Sequence, residues 1–348
     1  MKVLLTGHHG YLGSVMTPFL VAQGHEVTGL DTFYYEGCTL GDEKPPIVPE
    51  LRVDMRDVTA RDLKGFDAVA HLAALCNDPL GDLNANWTYD INHTATIKLA
   101  QVARDAGVSR FLYASSCSMY GAASPDEILT EEAPLKPLTP YAISKVRAEE
   151  DLLKMADGDF SPVFLRNATA YGASPRLRAD IVLNNLVCWA HTTGKVKIAS
   201  DGTPWRPIVH AEDIARAFAA SLVAPRDAIH AQALNVGVAS ENYQVRDLAS
   251  IVEKTVPNCS IEYTGQSGPD PRNYRVDFKK ITKMLPGFRP AWNATRGAQQ
   301  IYDAVKSVGL TLEQFQSKRF IRLGQLKYLL DEHLLDDTLR WREAGHRA

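Results

Sequence analysis

The feature that most restricts this chain is Thr6-Gly7-His8-His9-Gly10-Tyr11-Leu12-Gly13, three glycines spaced three apart. They fall between Lys2–Leu5, which predicts a strand, and a helical stretch over Tyr11–Gln23. Gly7 suits a tight turn, Gly10 lets the backbone approach a diphosphate, and Gly13 lets helix and strand pack closely. The unpaired N–H groups at the start of such a helix face an anion. The spacing is GxxGxxG rather than GxGxxG, so its place at a strand-to-helix junction carries more weight than the glycines themselves. Asp31 ends a second strand, Glu26–Leu30, close to the ~20-residue offset at which a carboxylate accepts hydrogen bonds from the adenosine ribose. That carboxylate would repel a 2′-phosphate, and no Arg or Lys follows in Thr32–Glu36, so the expected cofactor is NAD rather than NADP. The plainer alternative is that Asp31 opens a turn. His8 and His9, adjacent in a glycine turn, are read as solvent-facing or near the phosphates; no metal is expected.

Further short apolar runs, Ala68–Leu72, Arg110–Ala114 and Pro162–Leu165, alternate with helical stretches over Asn92–Ala106 and Tyr141–Met155. Strands alternating with helices imply βαβ units and a parallel sheet covered on both faces. The expected fold is α/β: a Rossmann-type doubly wound sheet with a smaller, interleaved substrate domain. Residues 1–165 plus about 208–235 would form the first domain and about 166–207 plus 236–310 the second. Residues 311–348 would form a helical C-terminal extension, with Leu at helical spacing in Thr311–Trp341. Packing or an oligomer contact is its preferred role. Gly202–Pro207 and Gln266–Asn273, rich in Gly, Pro and polar residues, read as binding loops.

Tyr141-Ala142-Ile143-Ser144-Lys145 places a phenol and an amine one helical turn apart on one face. Thr139 can cap that helix, and Pro140 suits its first turn. An unperturbed tyrosine has a pKa of ~10. A neighbouring ammonium favours the phenolate and brings it toward use as a general base. Such a pair is common by chance. Here it follows a complete glycine motif and the hydroxyl-rich Ser115-Ser116-Cys117-Ser118 at the end of an expected strand.

With these residues in view, the chain resembles the extended short-chain dehydrogenase/reductases, in the NAD-dependent nucleotide-sugar epimerase/dehydratase group, from Lys2 to about Tyr302. Ser115-Ser116-Cys117-Ser118-Met119-Tyr120-Gly121 matches the family's SSxxxYG, which implies that Ser116 supplies the hydroxyl of a Ser116/Tyr141/Lys145 site. The resemblance also implies that Asp54, before Met55, meets the adenine edge and that Leu72, Ala73 and Ala74 line the cofactor. Asn92 matches an asparagine that structures the site. It implies nucleotide-diphosphate contacts from Asn185 (in Asn184-Asn185-Leu186), from Arg206 (in Trp205–His210) and from Arg272 (in Pro269-Asp270-Pro271-Arg272). Two guanidinium forks suit a diphosphate; for either alone, a surface ion pair is the plain reading. Thr169 stands where the family usually has Asn, and a hydroxyl makes fewer hydrogen bonds than a carboxamide. Ser174-Pro175-Arg176-Leu177-Arg178, with the Thr169 segment, resembles a subgroup containing GDP-heptose 4-dehydrogenases.

The family's 4,6-dehydratases carry Asp-Glu where this chain has Cys117 and Ser118, and its sugar-acid decarboxylases keep a Glu at the second of these positions. Its GDP-fucose-synthase-like members use a cysteine where Ser118 stands. Elimination, decarboxylation and that form of 3,5-epimerisation are therefore disfavoured. The expectation is a nucleotide-sugar 4-epimerase acting by transient oxidation at C4, with Ser116 and Ser118 among the substrate contacts. A 4-dehydrogenase that releases the keto sugar is the alternative, and a non-catalytic dinucleotide-binding regulator a remote one. The nucleotide base and the sugar stay open. By the same resemblance a homodimer is expected through Asn92–Ala106 and Tyr141–Met155.

The formal net charge of -3 gives no pull toward nucleic acid or acidic membranes, and neither is an expected partner. Five scattered cysteines without CxxC suggest neither a disulfide framework nor a zinc knuckle. They fit a reduced, cytoplasmic setting. The apolar run Val3-Leu4-Leu5 is too short for a signal peptide, and no stretch approaches the ~18 apolar residues of a membrane helix.

Overall fold

The computed structural model describes residues 1–42, 47–76, 83–124, 127–265 and 272–342. Its centre is a seven-stranded sheet: β1 (Lys2–Thr6), β2 (Glu26–Asp31), β3 (Glu50–Arg52), β4 (Ala68–His71), β5 (Arg110–Ser116), β6 (Ser161–Asn167) and β7 (Ala233–Val236). The spatial order is β7-β6-β5-β4-β1-β2-β3, and every neighbouring pair is parallel. Chain direction across the sheet reverses between β1 and β4. A crevice opens at the carboxyl ends of the strands at such a switch point, where ligands of open α/β sheets bind. β5 and β6 are runs of buried residues, as a strand covered on both faces requires.

One face is covered by helices Gly13–Ala22 and Ala211–Val223, whose Met16, Leu20, Ile214 and Phe218 are fully buried with Val3 and Leu5. Helices Ala95–Asp105 and Pro140–Lys154 cover the other, burying Leu99, Ala148 and Leu152 against Leu4, Val69 and Phe111. A third core, containing Leu183, Val187, Leu248, Ala298 and Ile301, holds a second lobe together. The lobe's strands form two small sheets: Trp205–His210 between Thr169–Tyr171 and Asn242–Gln244, and Lys195–Ile198 with Ser260–Tyr263. The stretch Tyr274–Phe288, sequentially in the second half, contributes Tyr274, Val276, Phe278 and Ile281 to the first core instead.

Three expectations need adjustment. The helix expected from Asn92 begins at Ala85 and passes through a π-helical turn, Asp90–Thr94, before Ala95–Asp105. Within the expected loop Gly202–Pro207, Trp205–Pro207 are already strand. The C-terminal stretch holds helices Leu312–Gln316 and Arg322–Asp331, then ends in a Leu335–Trp341 bridge rather than more helix. Among the described residues no helix is long and apolar enough to cross a membrane.

Candidate active site

The crevice is a cleft of about 740 Å3. Its first wall is the glycine turn. Gly7 has φ +74°, and a Cβ there would lie 2.9 Å from the Ala73 nitrogen, so the turn presses directly on the end of β4. A Cβ on Gly13 would fall 2.1 Å from the Gly7 carbonyl oxygen. Gly13 thus admits the loop's own backbone, where helix-to-strand packing was expected. Gly7, Gly10, Tyr11, Leu12 and Gly13 all line the cleft, and the helix N-terminus opens onto it.

Asp31 lines the cleft beside them. Its carboxylate accepts hydrogen bonds from the Phe33 N–H (2.8 Å) and the His9 N–H (3.1 Å), which aims it across the turn. Burial raises its pKa, and these two bonds oppose the rise. His8 is buried rather than solvent-facing, at 1% exposure, because its ring fills the space beside Gly29. His8 Nε2 lies 3.2 Å and His9 Nε2 3.6 Å from Glu50, the only cluster among the described residues with metal-ligand proximity. Arg176 Nη2 donates to His9 Nδ1 at 3.2 Å, which leaves the His9 proton on Nε2, facing Glu50. Burial first, then His8 and Arg176, pushes the His9 pKa down to about 4.

Asp54 and Met55 line the cleft on the same side. Both Asp54 oxygens accept from the Arg56 guanidinium, at 2.6 to 3.1 Å. Leu72, Ala73 and Ala74 follow β4 into the cleft. Asn92 stands behind the cleft wall rather than in it. It is 1% exposed, accepts from the Leu75 N–H (2.8 Å), and donates to the Leu75 carbonyl (3.0 Å) and to Ser144 Oγ (3.3 Å). It braces the β4 exit against the helix that carries Tyr141, and the π turn lets its side chain reach back.

Ser116 ends β5, and Tyr141 and Lys145 lie on the helix Pro140–Lys154; all three line the cleft. Thr139 caps that helix, its Oγ1 accepting from the Ala142 N–H at 3.2 Å, with Pro140 in the first turn. Ser116 Oγ donates to Ser118 Oγ (2.9 Å) and accepts from the Ser118 N–H (3.1 Å). Lys145 Nζ donates to the Ala114 carbonyl at 2.7 Å and lies 5.6 Å from the centre of the Tyr141 ring. Burial pushes its pKa down to about 8, so it remains largely an ammonium at neutral pH. Cys117 points away, fully buried, its Sγ on the Arg166 carbonyl at 3.1 Å. Burial raises the pKa of this thiol.

The second lobe supplies the far wall with Thr169, Asn185, Arg206 and Arg272. Arg206 Nη1 donates to the Trp205 carbonyl at 2.8 Å and to the Arg272 carbonyl, tying the two arginine segments together. Asn185 Nδ2 donates to the Ala179 carbonyl at 2.8 Å. Pro269, Asp270 and Pro271 lie outside the described residues. The cleft also contains Tyr35, Cys76, Arg178, Asp180, Tyr274 and Arg322, which the sequence did not single out as site residues. Arg178 lay within a noted segment; Arg322 and Tyr274 carried no local signal.

Residues 3–237 match the NAD dependent epimerase/dehydratase family. The chain belongs to that family and is an NAD-dependent enzyme. It is 30% identical over 314 residues to the UDP-glucose 4-epimerase of Lactobacillus helveticus, covering 83% of this chain and 92% of that protein. The UDP-glucuronate 4-epimerase of Thermodesulfobacterium geofontis (strain OPF15) is 28% identical over 304 residues, covering 81% and 89%. Among solved structures, MoeE5 in complex with UDP-glucose and NAD matches at TM-score 0.77 and 28% identity, covering 89% of this chain and 100% of that one. The NDP-hexosamine 5,6-dehydratase TunA matches at TM-score 0.78 and 24% identity, covering 88% and 98%, a likeness of fold alone.

Proposed function

We propose that the protein is a nucleotide-sugar 4-epimerase. One observation carries the reading: a single cleft brings Ser116, Tyr141 and Lys145 together with Arg206 and Arg272, while the two positions that would hold elimination acids are a sealed thiol and a hydroxyl. Among the described lining residues the carboxylates are Asp31, Asp54 and Asp180, and Asp180 is held by Arg178 at 2.8 Å. None of them adjoins Ser116 in sequence or hydrogen bonding.

Bound in the cleft, NAD would supply the hydride acceptor and donor for the sugar's C4. Asp31 orients its adenosine ribose, and the backbone of the glycine turn meets its diphosphate. Tyr141 receives the proton of the C4 hydroxyl as that carbon is oxidised and returns it on reduction. The Lys145 ammonium favours the phenolate by charge. Ser116 shares the same oxygen through its hydroxyl, and Ser118 fixes the rotamer of Ser116. Arg206, Arg272 and Asn185 hold the substrate's diphosphate, leaving the keto sugar to turn over before its opposite face is reduced. The UDP-sugar epimerases among its relatives and the UDP-glucose bound by MoeE5 support a UDP-sugar as the first substrate to try.

The experiment is product analysis by NMR with UDP-glucose, UDP-glucuronate and GDP-sugars. A C4 epimer formed with no net NADH supports the proposal. Stoichiometric NADH with a released 4-keto sugar would replace it with the dehydrogenase reading, and an unsaturated or deoxy keto product with a dehydratase.

A further inference from the structure

The residues after 310 lie beyond the family match, yet they reach the cleft. Arg322 opens the helix Arg322–Asp331 and is 5% exposed while lining the cleft. Its Nη2 donates to the Arg176 carbonyl at 2.9 Å, and its guanidinium lies 4.3 Å from the centre of the Tyr35 ring. Its Nη1 is buried with no hydrogen-bond partner among the described residues. Arg178, also buried, donates to the Asp180 carboxylate (2.8 and 3.2 Å) and to the Cys76 carbonyl (3.2 Å). Burial depresses the Arg322 pKa and the Arg178 charge adds to this, against Tyr35, Cys38 and Asp180. Among the described residues, the carboxylate next to these two buried guanidinium groups is that of Asp180, and its printed hydrogen bonds are to Arg178. A buried charge without full compensation is costly unless an anion completes it.

The position of this pair in the cleft says which anion. Asn184 Nδ2 donates to the Arg178 carbonyl (2.9 Å) and to the Tyr11 hydroxyl (3.4 Å) beside the glycine turn, and Cys76, whose carbonyl Arg178 binds, lines the cleft with Lys145. Arg176, whose carbonyl Arg322 holds, reaches His9, whose N–H binds the Asp31 carboxylate at 3.1 Å. The cations therefore line one cleft with Asp31, assigned to the adenosine ribose, and with Lys145, which stands beside Tyr141 where the nicotinamide ribose would lie. What joins those riboses is the diphosphate. The same C-terminal segment is fastened over the adenosine side: Arg56 donates to the Thr338 carbonyl at 2.7 Å, Trp341 Nε1 to the Thr32 carbonyl, and Tyr34 to the Leu339 carbonyl.

We propose that Arg322, with Arg178, binds the diphosphate of NAD, so that the C-terminal segment completes the dinucleotide site and slows release of the cofactor. This rests on the placement of NAD between Asp31 and Lys145. Arg322 is here a cofactor-binding residue, and the charge-assisted fork it offers is of the kind that phosphates take.

The test is calorimetric titration of the full-length protein, stripped of nucleotide, with NAD, ADP-ribose, adenosine, UDP and GDP. Arg322→Gln is expected to weaken NAD and ADP-ribose at least tenfold, to speed NADH release by a similar factor, and to leave adenosine, UDP and GDP within twofold. Arg322→Lys, which keeps the charge and loses the fork, is expected to lose at least threefold for NAD, and decides the matter should the glutamine variant not fold. Unchanged NAD affinity in these variants overturns the proposal. So does a loss confined to UDP and GDP, which would give the cation to the substrate's diphosphate, or an equal loss for adenosine, which would mean a packing role. A wild-type protein that prefers NADP would instead undo the placement at Asp31.

Discussion

Lys145, proposed above to favour the Tyr141 phenolate, is held in the cleft at a cost to the fold. Its folded pKa, about 8, lies below the ordinary value of 10.5. Below pH 8 the amine is protonated in both folded and unfolded chains, and its burial costs about 3 kcal/mol. Between pH 8 and 10.5 the unfolded chain binds the extra proton, so stability rises with pH through that window and the cost disappears above it. Lys145→Met is therefore expected to melt higher than wild type at pH 7 in the ligand-free state, with the gap closing by pH 10, while losing activity. Equal melting temperatures at both pH values would show that the Ala114 carbonyl fully compensates the charge. Tyr141→Phe is expected to lower kcat on the true substrate by about 10²–10⁴-fold, the usual contribution of a general base, with little change in melting temperature. Asp31→Ala should weaken NAD and narrow the preference over NADP, since it removes the repulsion of a 2′-phosphate; comparative titration with the two dinucleotides checks it.

At the scale of elements, a buried ion pair holds the helix Pro140–Lys154 to the sheet. Arg166 on β6 donates to both Glu149 oxygens at 2.7 to 3.1 Å, to the Tyr120 hydroxyl at 3.2 Å and to the Glu131 carbonyl at 3.0 Å. Truncating one partner of such a pair strands the other charge in the interior, at about 3–5 kcal/mol. Arg166→Met should lose that much in denaturant unfolding, whereas Arg166→Met with Glu149→Leu should recover much of it. The same elements show what the sequence could reveal. The strand cores and the Thr139 cap are local: apolar runs and a hydroxyl before proline, visible in a few residues. Ser116, Tyr141 and Lys145 fall into one cleft because their spacing is set by the strand end and one helical turn. The π turn at Asp90–Thr94 left no such trace, because what favours it is the Asn92 amide meeting the Leu75 backbone, seventeen residues away. That His8 is buried rather than solvent-facing has a related reason: its ring fills the space at Gly29, on the neighbouring strand. Arg322 joins the cleft only through the chain's return to its beginning.

At the scale of the whole molecule, the question is whether the residues after 310 are an appendage. The division expected from the sequence, 1–165 plus about 208–235 and about 166–207 plus 236–310, leaves them outside both, and a homodimer through Asn92–Ala106 and Tyr141–Met155 would not involve them. Their packing argues otherwise. Leu326, Leu329, Leu335 and Leu339 are all 3% exposed or less, and join the same core as Leu99, Phe111 and Leu152. Burying a leucine fully is worth about 1.5–3 kcal/mol, so these four together carry roughly 6–12 kcal/mol before chain entropy is counted. A domain's entire net stability is about 5–15 kcal/mol. A chain ending at residue 310 is therefore expected not to yield a stable, soluble fold, with the loss seen as aggregation or as missing protection from hydrogen exchange in β4 and β5. Leu329→Ala offers the graded version, at about 2–5 kcal/mol in urea unfolding. If the truncated chain melted cooperatively near the wild-type temperature, the tail would be an appendage after all, and its grip on the cofactor would have to act without support from the core.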